Sequence, residues 1–407
     1  MNTLSMLLKD TLREIVLQKK ELQDQKTIKR ELLKEIDSNT SHVIILSGIR
    51  RCGKSTLMKQ LMKMAPWPYY FNFEDQRAYG FSVADFEKLD AVFHEELGES
   101  DRYFFDEIQN VEGWERYVRT LQDRGKKVII TGSNASLLSK ELGTKLTGRH
   151  LRYELFPFSY AEMLKFTLKT PSQSSFEEYF TTGGFPEYLK QRRLEILQEF
   201  FEDIVIRDIV VRYGLREART IKELALFLIT NSGKYFSYNK LKEYFKLGST
   251  NTVISYLSYF EDSYLFYTVP KFEYSYKKQL VNPKKIYSVD IGLSAAVSTT
   301  FSSDRGRMLE NLVFLHLRRR YKEIFYFKGK GECDFIIKEK GKVTFAIQVC
   351  YQLTDDNKER EVTALQEAME QVNLKEGLIL TYSQEDKLGN IHIKPVWKWL
   401  SMLSSVI

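Results

Sequence analysis

The segment Gly48-Ile49-Arg50-Arg51-Cys52-Gly53-Lys54-Ser55 sets two glycines, a lysine and a hydroxyl in the order G-x-x-x-x-G-K-[ST]. That spacing suits the grip of a polyphosphate. The glycines let the backbone curl until its N–H groups face phosphate oxygens. Lys54 adds a point charge, and Ser55 offers an oxygen to Mg2+. Thr56 continues into a helix start, whose free N–H groups and dipole favour anions. Gly48 to Thr56 are therefore the expected nucleotide contacts.

Two acids follow at a telling place. Asp106-Glu107 ends the apolar run Tyr103-Phe104-Phe105. In that position Asp106 is expected to hold Mg2+ with Ser55, and Glu107 to orient and deprotonate an attacking water. Ser133 and Asn134 end the next apolar run. Asn134 is the stronger candidate for a sensor of the terminal phosphate, and capping of an Ala135–Leu138 helix is the plain alternative. Arg149 is a candidate for stabilising transition-state charge, including on a neighbouring subunit. Glu74 and Asp75 are placed to border the same edge.

These groups need a scaffold that brings strand ends together. Val43–Leu46, Tyr69–Phe73, Arg102–Glu107, Lys127–Asn134 and Leu151–Leu155 read as short apolar strands separated by helical patterns. That alternation predicts a parallel sheet covered on both faces. Before it, apolar residues from Leu4 through Leu7, Leu12, Ile15 and Val16 to Leu22, Ile28 and Leu32 predict helices over 1–40. The expected division is 1–40, an α/β P-loop core over 41–155, a helical lid over 156–215, a unit over 216–285 and a last α/β unit over 286–407.

In the fourth part, helices at Ile221–Thr230, Tyr238–Phe245 and Thr250–Asp262 precede an extended aromatic stretch, Tyr264–Phe272. This is the order of a winged helix. Asn251, Thr252, Ser255 and Ser258 fall outside a Val253/Ile254/Leu257 face and are candidates for a nucleic-acid groove. Lys277, Lys278, Lys284 and Lys285 are candidates for phosphates. In the last part, Glu310 on a helix, Asp334 on a strand and Gln348 on the next strand follow the helix-Glu, strand-Asp, strand-Glu/Gln-x-Lys pattern of restriction-endonuclease-like folds. There the acids hold a metal that activates water. The sequence departs from the pattern where a lysine belongs, because Cys350 stands two residues after Gln348. Lys358 and Arg360 are the candidates to replace it. Arg318-Arg319-Arg320 is a candidate backbone contact.

The 407 residues carry a formal net charge of +7, compatible with nucleic acid without requiring it. Cys52, Cys333 and Cys350 lie too far apart in sequence for a CxxC site, and a cytoplasmic setting is expected. No apolar run approaches the length of a membrane span.

The motifs Leu46–Thr56, Leu146-Thr147-Gly148-Arg149, Leu155–Glu162, Gly183–Glu187, Arg207-Asp208, Asp290–Leu293, Leu309–Asn311 and Asp334-Phe335 together resemble a prokaryotic family that joins an AAA-type (AAA+) ATPase to a C-terminal domain of unknown function. The resemblance implies ATP and Mg2+ as cofactors and a multi-subunit assembly, expected as a homo-oligomeric ring. Together with the basic segments it makes an ATPase that binds and remodels duplex or branched DNA the leading expectation, with a nuclease-like domain that binds without cutting. An ATP-gated, metal-dependent nuclease and a nucleotide-switched scaffold are the alternatives.

Overall fold

The computed structural model describes residues 8–18, 27–134, 148–298 and 304–401. The readings at Leu4, Leu7, Leu22, Ala135–Leu138, Leu146 and Thr147 lie outside these residues. The chain forms two compact units, 1–155 and 156–407.

In the first unit, β1 (Val43–Gly48), β2 (Tyr69–Asn72), β3 (Arg102–Asp106), β4 (Lys127–Gly132) and β5 (His150–Leu155) form one sheet in the order β2-β3-β4-β1-β5. Every pairing is parallel. β1 is buried along its whole length, which is why it reads as an unbroken apolar run. Parallel register puts all strand C-termini on one edge, with Ser47 beside Gly132 and Asn72 beside Asp106. The same register sends the N-terminus of β5 to the opposite edge, where His150 faces Val43.

The helix Lys9–Leu17 buries Leu12, Ile15 and Val16 in the same core as Val43, Phe71 and Phe105. Their i, i+3, i+4 spacing gives one apolar stripe. Of the helix expected further on, the described part, from residue 27, forms a single short turn, Glu31–Lys34, with irregular chain on both sides.

The second unit begins with the helices Tyr160–Thr167, Gln173–Thr182, Pro186–Gln191 and Leu194–Asp203. Ser159 and Glu162 start the first with a reciprocal capping box. The segment 156–215, expected as a helical lid or linker, is packed within the second unit. The Gly184 amide donates to Asp290 Oδ2 at 2.7 Å, while Asp290 Oδ1 accepts from Leu293 and caps the helix Ile291–Val297. A Cβ on Gly292 would meet the Thr182 carbonyl oxygen at 2.1 Å, so only glycine allows this approach.

β6 (Tyr235–Phe236), β7 (Phe266–Val269) and β8 (Lys284–Ser288) form a small antiparallel sheet in the order β6-β8-β7. The helices Ala218–Thr230, Tyr238–Tyr244 and Thr250–Asp262 accompany it. The last of these buries Val253, Leu257 and Phe260, whereas Ile254, expected inside, is exposed.

β9 (Glu323–Lys328), β10 (Glu332–Glu339), β11 (Lys342–Cys350), β12 (Gly377–Thr381), β13 (Asp386–Leu388) and β14 (Ile391–Pro395) form a mixed sheet in the order β13-β14-β12-β11-β10-β9. β9, β10 and β11 run antiparallel, and β12 and β14 join in parallel. The helices Arg305–Arg320 and Asp355–Gln371 complete this part. β13 and β14 form a hairpin that the sequence reading did not include. Among the described residues, no helix is long and apolar enough to cross a membrane.

Candidate nucleotide site and carboxylate cluster

The loop between β1 and the helix Lys54–Met62 takes its shape from two glycines and one strained residue. Gly48 has φ +148°, and a Cβ there would sit 2.1 Å from the Leu155 carbonyl oxygen. Gly53 has φ +100° and precedes the first helical residue. Arg51 adopts φ +67°, a conformation that costs a non-glycine residue about 1–2 kcal/mol. Ile49 and Cys52 turn fully inward, and the Cys52 thiol points at the Leu155 carbonyl at 3.4 Å. Burial pushes that thiol above its usual range, against the pull of Lys54 and Arg30.

Lys54 is buried under the loop, with Nζ 3.2 Å from the Gly48 carbonyl, 3.3 Å from that of Ile49 and 3.6 Å from Glu107 Oε1. Asp106 ends β3 almost completely enclosed. Burial and then Glu107 raise its carboxyl above the usual range, opposed by Thr131, Ser55 and Lys54. The Thr131 hydroxyl donates to Asp106 and accepts the Glu107 amide at 2.8 Å, and the Tyr70 hydroxyl reaches Asp106 at 3.3 Å. Glu107 has φ +52°, which turns its side chain off the strand line. Gln109 donates to it.

Ser133 and Asn134 follow β4 on this same edge, both buried. The Ser133 hydroxyl is buried without a hydrogen-bond partner, as expected where a ligand or water completes the site. A lysine under a glycine loop, an enclosed Asp with a neighbouring Ser hydroxyl, and an unmatched Ser133 hydroxyl fit a nucleoside triphosphate with Mg2+. Lys54 and the loop amides would hold phosphate, and Ser55 and Asp106 would hold the ion, which supplies charge neutralisation.

In the second unit, Glu310, Asp334 and Gln348 also converge. A bulge in β10 between Cys333 and Ile336 re-aims Asp334. The Asp334 amide donates to Gln348 Oε1 at 3.1 Å, and the Val349 amide donates to Asp334 Oδ2 at 2.9 Å. Lys285 of β8 stands among the acids. Its Nζ lies 2.7 Å from Glu332, 2.8 Å from Glu310 and 2.9 Å from Asp334.

Residues 40–164 match a family model described as an AAA domain. Residues 173–304 and 305–399 match two domains of unknown function, DUF8612 and DUF4143. Uncharacterized protein MJ1544 of Methanocaldococcus jannaschii is 35% identical over 95% of this chain and 94% of its own length. The chain belongs to this family of AAA-domain proteins. An uncharacterized protein of Haemophilus influenzae is 30% identical over 79% of this chain and 86% of its own. Among solved structures, the replication initiator DnaA bound to AMPPCP and single-stranded DNA matches with TM-score 0.29 and 18% identity, covering 57% of this chain and 85% of that one.

Within this AAA-domain protein the structure brings Gly48 to Thr56, Asp106, Glu107, Ser133 and Asn134 to one edge. Arg50 pairs with Glu74 at 3.2 Å beside the loop, while Asp75 turns to Arg77. Arg149 is not among them. It stands before β5 on the opposite edge, about 20 Å away by strand rise, and pairs with Asp123 at 2.8 Å.

Several other expected contacts are corrected. The guanidinium of Arg318 lies 5.4 Å from the Tyr267 ring, and that of Arg319 lies 5.0 Å from the Phe156 ring. Arg319 also donates to the Pro157 carbonyl at 2.7 Å. Both lie against aromatic rings and are partly buried, and Arg320 is the exposed member of the run. Lys285 is 2% exposed and cannot meet a phosphate. Lys358 faces Asp386, while Arg360 pairs with Glu361 and lines a cavity with Asp334 and Gln348.

Sequence reasoning missed Arg30, whose guanidinium donates to the Cys52 carbonyl at 2.8 Å and props the loop from outside its motif. It also missed Thr131, although a hydroxyl inside an apolar strand of a P-loop sheet is a readable signal.

Proposed function

We propose that the chain binds and hydrolyses ATP with Mg2+ and couples turnover to binding and remodelling DNA as an oligomer. The observation that carries the ATPase reading is Lys54, Asp106 and Glu107 on one sheet edge, with Glu107 3.6 Å from the lysine that would hold phosphate. In this reading Glu107 takes the proton of the attacking water, Asp106 and Ser55 position the ion, and Asn134 or Ser133 senses the terminal phosphate. Arg149, remote from its own loop, acts only on a neighbour's nucleotide, which ties its role to assembly.

The DNA reading is supported by the exposed segment between β7 and β8, where Tyr274, Tyr276, Lys277 and Lys278 all face solvent. Rings and ammonium groups on one projecting segment suit bases and phosphates together. The arrangement of β6, β7 and β8 with three helices supports a winged helix, and Asn251, Thr252, Ser255 and Ser258 lie outside the buried stripe of its third helix. The order helix, three antiparallel strands, helix, parallel strand over 305–381 supports a restriction-endonuclease-like fold.

The deciding experiment measures ATP hydrolysis with and without duplex, branched and single-stranded DNA at low salt. Stimulated turnover and retention of DNA are expected. An unchanged rate together with no binding to any form would remove DNA from the account, and no hydrolysis at all would remove the ATPase.

A further inference from the structure

The carboxylates that sequence analysis assigned to a metal already have a cation. Lys285 Nζ contacts Glu332 Oε1, Glu310 Oε1 and Asp334 Oδ1 at 2.7, 2.8 and 2.9 Å. These are hydrogen-bond lengths to an ammonium, which a divalent ion would replace with contacts near 2.0–2.6 Å. Further hydrogen bonds hold the acids in place. Asp334 Oδ2 accepts from the Val349 amide at 2.9 Å, and Glu310 Oε1 accepts from the Tyr287 hydroxyl at 2.5 Å. Gln348 accepts from the Asp334 amide and donates to Glu361 at 2.6 Å. Among the described residues, no group of three or more His, Cys, Asp or Glu side chains is disposed to hold a metal ion.

The lysine stem comes from β8, a different sheet from the strand that carries Asp334. The position two residues after Gln348 holds Cys350, enclosed in the apolar core with Leu353 and Leu365.

We propose that Lys285 is the resident cation of this centre, an internal ammonium that closes the Glu310–Glu332–Asp334 cluster to divalent ions. Glu332 and Asp334 of the cluster then line a cavity of about 400 Å³, with Lys328, Lys330 and Arg360, that meets its ligand without metal and does not cleave it. The inference extends the nuclease-like reading of this domain and stands even if the domain binds no DNA, because its test reads metal.

The test is Mn2+ binding to the full chain without nucleotide, followed by electron paramagnetic resonance. Wild type, Asp334→Asn, Lys285→Ala and the double variant are compared. Asp334→Asn leaves the ATPase edge untouched, so its difference from wild type isolates this cluster. The expected result is no Asp334-dependent Mn2+ in wild type, and one Mn2+ per chain in Lys285→Ala that the double variant loses. An Asp334-dependent Mn2+ in wild type overturns the proposal, as does a folded Lys285→Ala that binds none. Should Lys285→Ala not fold, the wild-type arm decides alone. Absence of an Asp334-dependent signal up to millimolar Mn2+ then upholds the proposal.

Discussion

The Thr131 hydroxyl accepts the Glu107 amide at 2.8 Å and donates to the Asp106 carboxylate. One buried side chain on β4 thus orients two acids on β3 that are assigned different tasks. Thr131→Val keeps the shape and removes both bonds. Loss of a buried, charge-assisted hydrogen bond costs about 1.5–3 kcal/mol. If that loss falls on the transition state, ATP turnover drops about 10–100-fold with little change in nucleotide affinity. Equal kcat in variant and wild type would show that the acids are held by other means.

Lys54 and Glu107 separate binding from chemistry. Lys54→Ala removes the only ammonium under the loop among the described residues and is expected to weaken ATP binding at least tenfold by calorimetry. Glu107→Gln keeps the hydrogen bond from Gln109 within reach while removing the base. It is expected to bind ATP and slow hydrolysis roughly 10²–10⁴-fold. Wild-type turnover in Glu107→Gln would remove that residue from the mechanism.

Stability of the second unit has a defined acid dependence at Asp290. Burial pushes this carboxyl up to about 6, against the backbone N–H groups of Gly184, Leu293 and Gly292. The folded state therefore holds the proton more tightly than the unfolded chain between about pH 4 and pH 6. The contribution is complete below about pH 4 and is lost as pH rises through about 6, amounting to on the order of 3 kcal/mol. Asp290→Asn should lower stability overall and flatten this slope in urea unfolding at pH 4 to 7. Identical slopes would mean that Asp290 does not hold the proton.

The basic residues divide into two kinds. Lys277→Ala and Lys278→Ala should weaken DNA binding and each reduce the salt slope by about 1, leaving unfolding unchanged. Arg318→Ala removes a guanidinium packed over Tyr267, so it should lower stability by about 1 kcal/mol. A loss of DNA affinity in Arg318→Ala without loss of stability would reverse this assignment.

The central strands β1, β3 and β4 were legible because buried strands are continuous apolar runs, and the loop because its glycines, lysine and serine sit in a fixed order. Lys285 was not legible. Beside Lys284 it reads as half of a surface pair, and its burial makes sense only when Glu310, Glu332 and Asp334 arrive from distant sequence. The Arg318–Arg320 run misled for a related reason, since long stems can lie on aromatic rings that sequence does not place nearby. Arg149 follows the loop motifs along the chain, yet strand direction carries it to the other edge. The segment 156–211 has an ordinary helical pattern, and contacts far along the chain, such as Gly184–Asp290 and Glu177–Arg305, reveal which unit owns it.

The Gly184–Asp290 bond also dictates where the polypeptide can be divided. A fragment starting at Phe156 retains Gly184 together with Asp290, and Thr182 together with Gly292. One starting at residue 216 loses the Gly184 donor, leaves Asp290 the Leu293 amide of its own helix, and bares the side of Ile291–Val297 that Gln173–Thr182 and Leu194–Asp203 covered. The seam for dissection is the Leu155–Phe156 peptide, and inheritance of the later portion as a module would have to include those sixty-odd preceding residues.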